Sequence, residues 1–301
     1  MARIWTLGGL SVPELLRRTW IESWTDAVYG QAGRMAFYHF LAIFPSLLIF
    51  LAFTETMPSI GPGVKSTAAG LIQEILPSQA AGLVQQMLTE LQRHTPAGFA
   101  LISACGGALW AALNGTWALV FGLNTAYEVE ESRGWWKLGT TIAGLTLVLT
   151  VAASLALIFL FSAAHIGGQV FRQPASAILR ALEWLVVLAT LMFSFAVVYR
   201  FAPNLRDAEW KWSTPGSTCA LLLWVASTIG LRFYFEHISN YYQTYGHLNT
   251  VVMLLLWLYF TNAAILIGGE MNSEIEKAAA ASTSPQKSDR TDELPRRRVS
   301  F

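Results

Sequence analysis

The sequence predicts an all-α polytopic membrane protein with six transmembrane helices, an N-terminal interfacial helix and short amphipathic helices between spans one and two. Three observations carry this prediction. Hydrophobic residues make up 54% of the 301 residues and charged residues only 13%, about half the charge of a soluble domain. The few charges leave long apolar gaps, and a bilayer is crossed by ~20 apolar residues at about 1.5 Å rise each. None of these gaps alternates apolar with polar residues, as the strands of a closed barrel would.

The elements follow in chain order. Leu15, Leu16, Thr19, Trp20, Ser23, Trp24, Ala27 and Val28 recur at helical spacing, with Arg17 and Arg18 off that stripe. Ser11, Pro13 and Glu14 supply a helix start. Tryptophans beside arginines suit a helix lying in the membrane interface or packed beneath the bundle. The apolar gaps then run from Arg34 to Glu55, Arg93 to Glu128, Lys137 to Arg172, Glu183 to Arg200, Lys211 to Arg232 and Glu236 to Glu270. The fourth holds only sixteen residues, so its helix is expected to start near Ile178 with Glu183 at the outer interface.

Between the first two spans, Gly61-Pro62-Gly63 interrupts the chain. Leu71, Ile72, Ile75 and Leu76 then form one apolar stripe that ends at Pro77. A second helix from about Ser78 carries Leu83, Val84, Met87, Leu88 and Leu91 on one face. Two short helices capping the outer end of the bundle fit this pattern. In span two, Ser103, Gly107, Ala111 and Gly115 form a small-residue stripe suited to close helix packing inside the bundle. Trp135-Trp136, Trp210, Trp212 and Tyr241-Tyr242 stand at span ends, as an aromatic belt does. Pro45, inside span one, is expected to kink it, and Pro45, Pro203 and Gly246 are the candidate hinges.

The expected organisation is a cytoplasmic segment over 1–33, a six-helix domain over 34–276 and a disordered cytoplasmic tail over 277–301. The tail is Ala, Ser, Thr, Pro and charge, too polar to bury a core. Its Arg296-Arg297-Arg298 suits contact with anionic lipid. No signal peptide is evident, and span one would serve as an uncleaved signal. Orientation follows from Lys and Arg in the short loops. One side, including both termini, carries fifteen of them, and the other carries Lys65, Arg93, Arg172 and Arg180, with Arg232 near its edge. Both termini are therefore expected in the cytoplasm of a bacterial cell, with the bundle in its inner membrane.

That topology gathers polar residues at one level. Arg34 and Tyr38 begin span one, Asn124 and Tyr127 end span two, Arg200 and Asn204 end span four, and Glu270 and Asn272 end span six. Polar groups at membrane depth call for a partner or a purpose. These eight residues form the candidate functional cluster, with an Arg34–Glu270 ion pair as its expected centre. Glu270 and Glu274, four apart, would share a helix face and attract a cation, an arginine rather than a metal. Cys105 and Cys219 fall within spans at a spacing that suggests neither a metal nor a disulfide framework. No catalytic residue, metal or cofactor is expected.

The strings "RMAFYHFLAIFPSLL", "NTAYE" at 124–128, "YRFAPN" at 199–204, and "YGHLNTVVMLLLWLY" followed by "GGEMN" resemble the YihY/BrkB family of bacterial inner-membrane proteins. The resemblance covers roughly residues 15–276. The family pattern has Ala-Tyr where Phe37-Tyr38 stand and Gly-Ala-Glu-Leu-Asn where Gly268 to Asn272 stand. It implies six spans and an envelope location, and it brings two inherited labels: ribonuclease BN and virulence factor. The nuclease label finds no support in the residues, because the five histidines at 39, 94, 165, 237 and 247 are scattered. Nor does the chain offer a basic, aromatic-interleaved surface for nucleic acid. The expected function is binding or transport of a lipid or amphiphilic solute through the polar cluster. A non-transporting scaffold, with a homo-oligomer or envelope protein as partner, is the alternative.

Overall fold

The computed structural model describes residues 5–55, 61–76, 78–93, 99–170, 174–205, 213–237 and 247–283. After a 3-10 turn at Leu7–Gly9, the described chain is helical: α1 Val12–Thr25, α2 Val28–Glu55, α3 Gly61–Ile75, α4 Ser78–Arg93, α5 Phe99–Ala126, α6 Trp135–Val170, α7 Pro174–Phe201, α8 Pro215–His237 and α9 His247–Thr283. Six of these, α2 and α5 to α9, are long and apolar enough to cross a membrane. The predicted all-α class with six candidate spans is therefore the one observed among the described residues. Of the sequence features singled out above, Trp210, Trp212, Tyr241, Tyr242, Gly246 and the tail from 284 lie outside the described residues.

Helix α9 is the axis of the bundle. It packs against α8, α2, α1, α4 and α5, while α2 pairs along α5 and α6 along α7. Its 37 residues amount to about 55 Å, well beyond a hydrocarbon core of ~30 Å. The helix runs past 276, where the sequence placed the start of a disordered tail, as far as Thr283. The cause is tertiary: Met271 and Ile275 are buried against Leu15 of α1, with Leu7 and Leu10 beside them, so the segment is packed rather than free.

Helix α1 starts where Ser11 and Pro13 predicted, with proline in the first turn. Its stripe divides in two. Leu15, Thr19 and Ser23 are buried, whereas Leu16, Trp20 and Trp24 are exposed, and the Trp24 ring leans on Tyr29 at 4.6 Å. Ala27, at φ 51°, ends α1 in the left-handed region, donating its N–H to the Trp24 carbonyl.

Small residues set the tightest packing. In the α2–α5 seam a Cβ on Gly107 would lie 3.7 Å from the Pro45 ring and one on Gly115 would lie 3.0 Å from His39. The small-residue stripe is thus spent on internal packing, and α2 runs through Pro45 as one helix. Between α8 and α9, Gly216 and Gly268 face each other so closely that a Cβ on Gly268 would meet the Gly216 carbonyl at 2.5 Å. Towards the other end, Leu83, Val84 and Leu88 of α4 join Leu231, Phe235, Met253, Leu254 and Leu258 in a second core. Outward faces carry Ile102, Leu109, Trp117, Leu147, Leu155, Leu222 and Ile229 exposed, the apolar rim that lipid requires. Cys105 is exposed on this rim and Cys219 is partly buried.

Candidate functional site

Five segments meet at one end of the bundle: the α1–α2 turn, the end of α5, the end of α7, the start of α8 and α9 beyond Gly268. Two distinct arrangements are built there.

The first is a clasp between α5 and α7. Asn124, buried near the end of α5, accepts a hydrogen bond from the Asn204 backbone N–H at 2.8 Å. Its amide donates to Glu131 Oε2 at 2.8 Å. Glu131 is gripped by Arg133 through Nε at 2.8 Å and Nη2 at 2.6 Å, a two-point pairing. The same guanidinium donates to the Ala202 carbonyl at 2.9 Å, satisfying a carbonyl that the end of α7 leaves over. Asn204 completes the loop by donating to the Glu130 carbonyl at 3.0 Å and Ser132 Oγ at 2.8 Å. The Arg133 guanidinium holds the Glu131 carboxyl below the usual carboxylate range. Every polar group named here has a partner.

The second arrangement is acidic and incompletely satisfied. Glu270 is entirely enclosed (0% exposed), and neither of its carboxylate oxygens has a hydrogen-bond partner among the described residues. Asp26, at the end of α1, brings its carboxyl within hydrogen-bonding reach of Glu270, and its Oδ2 is likewise buried and unpartnered. Burial, and after it the Glu128 charge, pushes the Asp26 carboxyl above the usual carboxylate range. One turn beyond Glu270, Glu274 is buried and paired with Lys277 Nζ at 2.9 Å. The same ammonium reaches Glu128 Oε1 at 2.8 Å.

Glu128 sits at φ 50° just past α5, where Val129 N–H bonds the Asn124 carbonyl and Glu128 N–H bonds the Thr125 carbonyl. This pairing closes a helix through a left-handed residue, a place usually held by glycine. Beside it the buried Tyr127 phenol is pushed above its usual range by burial and then by the Glu276 charge, so it remains a neutral donor.

The predicted cluster is therefore divided. Asn124 and Asn204 are joined in the clasp. Tyr127, Glu270 and Asn272 lie on the acidic side, and Asn272 Oδ1 accepts the Gly216 N–H at 3.0 Å, capping the start of α8. Arg34 is exposed, and no ion pair joins it to Glu270 among the described residues. Tyr38 lies in the α2–α5 seam, edge-on to Trp110 at 6.0 Å. Arg200 stands over the Phe201 ring at 5.2 Å, and Pro203 is buried in the turn after α7.

The cation expected near Glu270 and Glu274 is Lys277, not an arginine. Lys277 follows Glu270 by seven and Glu274 by three, so reading the helix two turns further would have placed all three on one face. Asp26, Glu128, Glu131 and Arg133 were also missed. Asp26 stands in a segment read only for its apolar stripe, and Arg133 was counted only for topology. Beside the clasp, a surface cleft of about 490 Å³ is lined by Ser132, Arg133, Gly134, Trp135, Trp136 and Lys137, with the two indoles stacked at 3.9 Å.

Comparison with known proteins gives a consistent picture. A family pattern described as "Virulence factor BrkB" matches residues 19–293. A protein of Bacillus subtilis (strain 168) named YfkH and described as ribonuclease-like is 28% identical over 82% of this chain and 90% of its own. A UPF0761 membrane protein of Tolumonas auensis is 22% identical over 85% of this chain and 83% of its own. Another, Smlt0865 of Stenotrophomonas maltophilia, is 24% identical over 86% and 60% respectively. No solved structure matches.

Proposed function

The chain belongs to the BrkB family of membrane proteins, and on that footing we propose that it binds or moves a lipid or amphiphilic solute through the polar end of its bundle. The proposal places it in the bacterial inner membrane with both termini cytoplasmic. The observation that carries it is the contrast between the two arrangements. In the clasp every buried polar group is paired, as a structural network requires. Glu270, at the same end of an apolar bundle, is fully enclosed and has no partner for either oxygen. A buried carboxyl left without a hydrogen-bond partner costs about 1–3 kcal/mol, more if it is charged. Its retention points to work. The nearby cleft, with two stacked indoles beside Lys137, suits an amphiphile with a polar head.

Reconstitution tests this. Wild type and Glu270→Gln are placed in proteoliposomes and the transbilayer movement of labelled lipids is followed. Movement lost or strongly slowed in the variant is the expected result. Equal movement in both, or none in either across a broad lipid panel, overturns the role given to Glu270.

The clasp favours a second reading, a non-transporting scaffold of the envelope that meets a second copy or an envelope protein. It expects Glu270→Gln to change detergent stability and nothing that moves. The ribonuclease-like description of the Bacillus relative is not extended to this chain. Among the described residues no group of three or more His, Cys, Asp and Glu side chains is arranged to hold a metal ion. RNA cleavage by the purified chain, freed of soluble nuclease, would revive that description.

A further inference from the structure

Two carboxyl groups from distant parts of the chain, one wholly and one partly buried, come together at the polar end. Asp26 closes α1 and Glu270 lies in α9, and the left-handed Ala27 holds the turn that presents Asp26. Their side chains are within hydrogen-bonding reach of each other. Yet Glu270 Oε1 and Oε2 and Asp26 Oδ2 are all buried acceptors without a donor. Two bare carboxylates cannot share so small a space, because their repulsion in a dry setting far exceeds that in water.

The surroundings do not neutralise them. Glu22 approaches Glu270 from α1, Glu128 approaches Asp26 from the end of α5, and Glu274 adds a further acid from α9 itself. Tyr127, from α5, is neutral. Lys277 is the one described cation acting on the pair, and its ammonium is committed by hydrogen bonds to Glu128 and Glu274. Arg18, on α1, acts on Glu274 and is hydrogen-bonded to Glu14. The pair therefore has no cation hydrogen-bonded to it among the described residues. A proton shared between the two carboxyls needs no ligand beyond the pair itself, and among the described residues no group of three or more His, Cys, Asp and Glu side chains is arranged to hold a metal ion.

We propose that Asp26 and Glu270 form a proton-binding site in which one carboxylic acid donates its O–H to the other's carboxylate. One proton supplies the missing donor for two of the orphaned oxygens and removes one of two like charges. Asp26 is only partly buried, so it is the water-facing member through which the proton enters and leaves. Glu270, wholly enclosed, is the inner member. Losing the proton restores the repulsion across the α1–α9 contact, so protonation controls how firmly α1 and its turn sit on α9. This holds whether or not anything crosses the membrane.

The sign of the pH dependence follows. A site that binds a proton more tightly in the folded protein than in the unfolded chain lends stability that is lost as pH rises above the ordinary carboxylate range. The experiment uses the full chain in nanodiscs. Infrared difference spectra in H₂O and D₂O are taken at neutral pH, alongside thermal unfolding across a pH series. Wild type should show a protonated carboxyl band that is lost in both Asp26→Asn and Glu270→Gln and kept in Glu22→Gln. Its unfolding midpoint should fall as pH rises, and that fall should be lost in both variants, whose amides supply the missing donor permanently. The proposal is overturned by absence of the band in wild type at neutral pH, or by its survival in either variant. Replacement of the band by a sodium-dependent shift, seen with sodium but not choline chloride, would overturn it in favour of a metal ion.

Discussion

The Lys277 ammonium lies 2.8 Å from Glu128 Oε1, joining the sixth span to the end of the second across a gap of 149 residues. The same ammonium covers the buried Glu274 at 2.9 Å, so the two contacts differ in weight. Glu128 is 56% exposed at its side chain and Glu274 only 7%.

Lys277→Ala therefore leaves Glu274 buried beside Glu270 without its hydrogen-bonded cation. The expected loss is about 1–3 kcal/mol of stability, read as a lower unfolding midpoint in detergent. Glu128→Gln, which removes only the exposed half, should cost less than about 1 kcal/mol. Equal losses in the two variants would show that the bridge, not the buried acid, carries the energy.

Arg133→Ala removes both side-chain contacts to Glu131 and the cap on Ala202 while leaving the backbone N–H bond to Glu131, at a cost of about 2–3 kcal/mol. A double-mutant cycle with Glu131→Ala checks that this energy is shared between the two residues. The Arg133 guanidinium holds the folded Glu131 carboxyl below its unfolded value. Its contribution is thus present above the ordinary carboxylate range and is lost as pH falls through the folded value. Arg133→Ala should flatten the acid limb of the stability curve, the opposite end from the one governed by Asp26 and Glu270.

Gly268→Ala sets a methyl against the Gly216 carbonyl, the Tyr199 hydroxyl and Ala220 Cβ. Overpacking of this kind costs about 1–3 kcal/mol or more, and α8 and α9 should separate. Gly134→Ala, where nothing lies within 4 Å, should leave the unfolding midpoint within error of wild type.

Ala27, at φ 51°, pays the steric penalty of an L-residue in the left-handed region, about 1–2 kcal/mol. Ala27→Gly should recover part of it, a gain of a few tenths to about 1 kcal/mol after the extra freedom of glycine in the unfolded chain. A fall in stability would show that the Ala27 methyl is needed where it is.

The fold was legible because membrane crossing writes itself in composition: each charge-free gap overlaps one of α2 and α5 to α9, and Ser11, Pro13 and Ser78 stand at the helix starts they predicted. The site was legible only in part. Glu270 and Asn124 could be singled out because a polar residue in an apolar run is conspicuous. Which residue faces Glu270 was not readable, because partner choice depends on how α1 folds back through a left-handed alanine, and nothing in "WTDAVYG" announces that turn. Arg34 looked like the natural partner because span one begins beside it, yet the helix turns that side chain outward and lets Asp26 approach instead. Lys277 was hidden by composition: a run of alanines and polar residues reads as tail until Leu15 is known to cover Ile275.

Helix α9 is one unbroken rod from beneath α4 to beneath α1. Such a rod, free of proline and continuous through Gly268-Gly269, carries its packing contacts from one end of the bundle to the other. The tightly packed Gly216–Gly268 contact pins α9 to α8 between those ends. The two ends of the bundle are thus joined through a single helix, which packs on α4 at one end and on α1 at the other.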